Sequence, residues 1–137
     1  MEQLVDLAVT ELLGKVAQLR SEGCRLVQIM CSMVGQDYEL TYNFDKDGAL
    51  TNLRLAVPAG NSVPSITKEF LYAFIWENEI HDLFGLQFTE MVPEFDYHGK
   101  FFHLEQAAPW NPGTQVVVPK GLGIDASVKA EGGAKNA

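Results

Sequence analysis

Residues 69–88, with Lys68 leading, hold the feature that most limits what this chain can fold into. At 100° per residue, Tyr72, Ala73, Trp76, Ile80, Leu83 and Phe84 fall on one arc of about 120°, wide enough to dock a helix on a sheet. Glu77, Asn78, Glu79, His81 and Asp82 fill the rest of the second half. The first half differs: Phe70, Leu71, Phe74 and Ile75 make it apolar on every side, so it must be buried or covered. Gly85 followed by Leu86 is a Schellman-type stop, because glycine takes the left-handed conformation without steric cost. Ser65 or Thr67 can cap the start, and Thr67 is preferred because it leaves Glu69 at the positive end of the helix dipole.

Upstream, Val5, Ala8, Val9, Leu12, Val16 and Leu19 recur at helical spacing, which predicts an amphipathic helix over residues 4–22, stopped by Gly23. Residues 25–34 read as a strand with Val27, Ile29, Cys31 and Met33 on one face. Tyr38, Leu40, Tyr42 and Phe44 alternate with polar residues in a second strand. Leu53, Leu55 and Val57 do so in a third, after a hairpin turn at Lys46, Asp47 and Gly48. The expectation is an α+β fold: a two-layer sandwich in which two helices pack an antiparallel sheet of at least three strands. That core takes residues 1–90. Residues 91–120 carry Phe95, Tyr97, Phe101, Phe102 and Trp110 among prolines, with no lasting period except a short strand at Val116, Val117 and Val118. They read as an irregular, aromatic-rich C-terminal extension lying on this domain or on a partner. Residues 121–137 read as a flexible tail.

The formal net charge of −8 argues against nucleic acid and anionic membrane surfaces as partners. No apolar run reaches the roughly 18 residues needed to span a bilayer, and Met1, Glu2 and Gln3 do not begin a basic leader, so a cytoplasmic location is expected. Cys24 and Cys31 are the only cysteines. Their odd separation puts them on opposite faces of a strand, which favours two buried free thiols over a disulfide or shared metal.

The run Trp76-Glu77-Asn78-Glu79-Ile80-His81-Asp82-Leu83-Phe84-Gly85-Leu86-Gln87-Phe88 resembles the signature of the 30-kDa subunit family of respiratory complex I (NADH:quinone oxidoreductase), a pattern near W-x-E-R-E-x-x-D-x-F-G-I-x-F. Pro64, Ser65, Ile66 and Thr67 fit the segment that precedes that helix in the family. Asn78 stands where the family carries Arg, and residues 89–95 replace its G-H-P-D-L-R-R block. In both departures the chain is closer to the homologous subunit of energy-converting, membrane-bound NiFe hydrogenases and formate hydrogenlyases. The resemblance implies a cofactor-free, non-catalytic subunit, peripheral on the cytoplasmic side of the cell membrane. It would pack against a large catalytic subunit and an iron–sulfur subunit, the partners holding the 4Fe–4S clusters and a NiFe or quinone site. It also implies that Phe70, Phe74, Glu77, Glu79, His81, Asp82, Phe84 and Gly85 form the subunit interface.

The residues themselves leave two explanations for the acidic group. Glu77, Glu79 and Asp82 lie toward a helix C-terminus, where the dipole disfavours anions, with only a Glu77–His81 spacing as relief. They are either a solvated face, whose neutralisation is harmless to the isolated domain, or a surface that meets basic groups of a partner. A free-standing small enzyme or ligand-binding domain using Glu77, Glu79, His81 and Asp82 is the alternative function. Asp96, His98 and His103 match no metal-ligand spacing. Glu77 and Glu79 are 200° apart on a helix and cannot share a proton, and no phosphate loop or nucleophile motif is present. No catalytic residue is assigned.

Overall fold

The computed structural model describes residues 2–113. The strand expected at Val116, Val117 and Val118 and the tail expected over residues 121–137 lie outside the described residues. The order is β1 (Glu2–Leu7), α1 (Leu12–Ser21), β2 (Arg25–Val34), β3 (Asp37–Lys46), β4 (Ala49–Val57), β5 (Ser62–Pro64), α2 (Phe74–Phe84) and β6 (Gln87–Thr89). Single 3-10 turns precede α1 and α2 and lie at Pro93–Phe95.

Alternation in β3 and β4 places Tyr38, Leu40, Tyr42 and Phe44 opposite Val57, Leu55, Leu53 and Thr51. Leu12, Val16 and Leu19 of α1 and Ala73 and Ile80 of the α2 segment join this face in one buried cluster. The other side of the sheet is polar, with ion pairs Arg54–Asp6 and Arg25–Asp45. The β3–β4 turn has Asp47 at φ 51° and Gly48 at φ 88°, the pair of positive values a two-residue hairpin of right-handed twist requires. The two-layer α+β reading therefore holds.

Three local expectations do not. The helix predicted over residues 4–22 is a strand followed by a shorter helix. β1 pairs in parallel with β4, Val5 opposite Leu53 and Leu7 opposite Leu55, so the four-stranded sheet is mixed, in the order β1-β4-β3-β2. Val5 fits either period; what decides is the pairing partner, since Glu2 reaches Asn52 and Asp6 reaches Arg54 across the ladder. In β2, a bulge at Val27 moves Leu26 onto the core side with Ile29, Cys31 and Met33. Finally, α2 starts at Phe74, after the Leu71–Ala73 turn, and neither Ser65 nor Thr67 caps it. Those hydroxyls serve a buried carboxylate instead. The stop at Gly85 stands, with φ 80°, and beyond it β6 pairs in parallel with β5.

Candidate functional site

The polar run of α2 is divided by the fold. A helix that crosses a sheet edge and is then covered by a following segment turns three of its sides inward. Glu77 is fully buried and Asp82 nearly so, while Glu79 and His81 stay half-buried. The single solvated acidic face considered from the sequence does not form.

Glu77 points into the Ser65–Thr67 turn. Ser65 donates its hydroxyl to one carboxylate oxygen at 2.6 Å, and the Ile66 N–H donates to the other at 2.9 Å. Thr67 Oγ1 lies 2.7 Å from Ser65 Oγ and accepts the Val92 N–H at 3.0 Å. One carboxylate thus fixes the segment before α2 and, through Thr67, the segment after β6. Burial, only partly offset by these donors, raises the Glu77 carboxyl to about 7, and the charge of Asp96 adds to the rise. The Tyr42 hydroxyl, buried without a hydrogen-bond partner among the described residues, is raised by its own burial first and by the Glu77 charge second.

Asn78, one turn before Asp82, is spent on the extension. Its amide donates to Phe74 O at 2.7 Å and Phe95 O at 2.8 Å, and its oxygen accepts the Tyr97 N–H at 3.1 Å. Asp82 accepts the Phe102 N–H at 2.7 Å. The last carbonyls of α2, which have no partner within the helix, are closed by the same extension. Ala108 N–H donates to Asp82 O, Trp110 N–H to Leu83 O, and Asn111 Nδ2 to Phe84 O. Rings follow the same path: Phe74 lies 4.6 Å from Phe95 and 6.5 Å from Tyr97, and Phe84 lies 5.6 Å from Trp110. Through residue 113 the extension therefore lies on its own domain.

The remaining residues assigned to the interface are also held inside the chain to differing degrees. Phe70 is buried, 5.4 Å from Phe44, with the Arg20 guanidinium 5.6 Å from its ring. His81 donates its Nδ1–H to Leu86 O at 2.9 Å, rather than pairing with Glu77. Gly85 is required twice: its backbone is left-handed, and a Cβ there would sit 3.2 Å from Ala108 Cβ. Glu79 makes no hydrogen bond or ion pair among the described residues, and it borders Trp110.

Chemically, both oxygens of Glu77 are occupied by hydroxyl and amide donors. Asp82 has one oxygen on the Phe102 N–H and the other buried without a partner among the described residues. No group of three His, Cys, Asp or Glu side chains among the described residues could hold a metal ion. Cys24 and Cys31 are free and half-buried, and burial pushes the Cys31 thiol up to about 12. Sequence reasoning missed Ser65, Thr67 and Asn78 as the partners that organise the run. A threonine and a serine two residues apart before an apolar helix read equally well as a cap, and only the position of Glu77 in space separates the two roles.

Fold and site together define a two-layer α+β domain whose second helix carries a buried polar staple and a tightly laid C-terminal extension. The chain belongs to the family of the respiratory-chain NADH dehydrogenase 30 Kd subunit, which it matches over residues 5–93. That span contains the whole staple on the helix side, while the extension beyond Pro93 lies outside it. The fold is similar to that of a chain in the structure of the membrane-bound sulfane sulfur reductase (MBS), an archaeal respiratory membrane complex. The two are 13% identical with a TM-score of 0.69, covering 82% of this chain and 70% of the other. Among curated proteins there is no sequence match.

Proposed function

We propose that this chain is a peripheral, non-catalytic and cofactor-free subunit of a membrane-bound redox complex, of the energy-converting NiFe hydrogenase or complex I type. It packs there against the catalytic large subunit and the iron–sulfur subunit on the cytoplasmic side of the cell membrane. The observation that carries the reading is how the family run is used. Glu77 and Asn78 are consumed inside the domain, and Asp82 spends one oxygen on the Phe102 N–H while its other oxygen is buried without a partner among the described residues. No pair of carboxylates is therefore left facing an open space for acid–base work. Family membership supplies the setting. No helix among the described residues is long and apolar enough to cross a membrane, which fits attachment through partners.

The alternative of a small enzyme using Glu77, Glu79, His81 and Asp82 finds no support in the geometry, because these four side chains do not converge on one open space. The test is purification of the tagged full-length chain from native membranes in mild detergent, with sizing, iron analysis and protein identification. The expected result is a particle several times the mass of the 15.2 kDa chain that contains iron–sulfur and large catalytic subunits. The chain purified alone should contain no stoichiometric iron or nickel. Recovery only as a free chain would overturn the proposal.

A further inference from the structure

Among the described residues β2 is an edge strand of the sheet. At Leu26 its outer N–H and C=O are closed by one side chain, the Tyr72 hydroxyl, at 3.1 and 3.0 Å. Further along, a groove of about 300 Å³ runs between the middle of β2 and α2, floored by Ile80 and Phe84 and edged by Met30, Trp76, Glu79 and Trp110. The two tryptophans of the chain both line it. Trp110 is 60% exposed, and Met30, opposite Thr41, turns to the other face of the sheet along the same edge. An apolar surface of this kind beside an open strand edge is what an added strand uses: backbone bonds to the edge, with alternate side chains in the groove. Tryptophan is also the residue type that most often dominates binding energy at interfaces.

The electrostatics select the occupant. Among the described residues Glu79 is the only charged side chain in the groove, and it is in none of their ion pairs. The chain carries a net charge of −8, so an acidic segment would be repelled both locally and from a distance. We infer that this groove receives an extended apolar segment of a partner subunit bearing one Lys or Arg, which lies along β2 and sets its cation against Glu79. This inference rests on the reading of the chain as a complex subunit.

A photo-crosslinking residue, p-benzoylphenylalanine, placed at position 30 of the full-length chain in its native host tests it. Mild-detergent extraction and illumination are followed by sequencing of the cross-linked peptides. The expected product joins position 30 to one stretch of one partner, apolar at alternate positions and containing a Lys or Arg. In parallel, Glu79→Lys should lower recovery of that partner at least tenfold, and Glu79→Gln less, while thermal melting of the free chain stays unchanged. Cross-links confined to residues 114–137 of the same chain would show that the groove is self-covered. Cross-links to an acidic segment, or none from an intact complex, would equally overturn the inference. All three leave the subunit reading standing. A chain that purifies without any partner would instead remove the subunit reading, and this inference with it.

Discussion

Glu77 shows how a residue can be legible as unusual and illegible in role. Three carboxylates near a helix C-terminus with no cation are visible in the sequence. That one of them is buried against Ser65 Oγ and Ile66 N–H is not, because the turn that brings those donors round depends on the β5–β6 pairing. The exposed-face reading makes loss of the side chain harmless; the structure makes its truncation costly at position 77, because the carboxyl holds two buried donors. Glu77→Ala strands the Ser65 hydroxyl and the Ile66 N–H in a cavity and should lower stability by about 2–4 kcal/mol, read by chemical denaturation. The pH dependence has a definite sign. The carboxyl ionises at the ordinary 4.5 when exposed and at about 7 in the fold, so the unfolded chain releases its proton first. The stability it supports is full below pH 4.5 and is lost as pH rises through 7, by up to ~3 kcal/mol. The melting temperature of the wild type should therefore fall between pH 5 and 8. Glu77→Gln, which cannot titrate, should flatten that slope, and an unchanged slope would exclude Glu77 as its source. At Cys31, a thiol held near 12 by burial should react with iodoacetamide at pH 8 far more slowly than a free thiol, as followed by mass spectrometry.

Among the elements, the strands were the most readable because their period of two survives whatever lies on either side. β2, β3 and β4 and the Asp47-Gly48 turn emerge from alternation and positive-φ residues alone. The first element was misassigned because Val5 and Val9 fit a helical stripe, while Leu4 and Asp6 alternating with Val5 and Leu7 fit a strand, and a parallel partner fifty residues away settles it. Removing residues 2–7 should thus uncover the outer edge of β4 and lower the melting temperature by several degrees. A terminal helix turn would fray with little effect, so an unchanged melt would contradict the pairing. The extension was readable as irregular and needing cover, but not as covered by its own domain. Its anchor is Asn78, whose amide group joins Phe74, Phe95 and Tyr97. Asn78→Ala should cost about 2–3 kcal/mol and raise tryptic cutting after the exposed Lys100 severalfold. Cutting at the wild-type rate would mean that the rings alone hold the extension.

At the scale of the whole molecule, the polar run of α2 does two jobs that the sequence presents as one. Glu77, Asn78 and Asp82 bind the chain to itself, and Glu79 is left half-buried beside Trp110, on the face proposed above for assembly. The family resemblance was legible because the run from Trp76 to Phe88 is long and ordered; the division of labour within it was not, because it depends on which turns of α2 the extension covers. Amide hydrogen exchange of the free full-length chain against the assembled complex tests this division most directly. The N–H groups of Ile66, Val92, Tyr97 and Phe102 have their acceptors inside the chain, so they should be as protected in the free chain as in the complex. Free exchange of these four amides in the isolated chain, with protection only on assembly, would mean that a partner completes the polar run and would contradict the account.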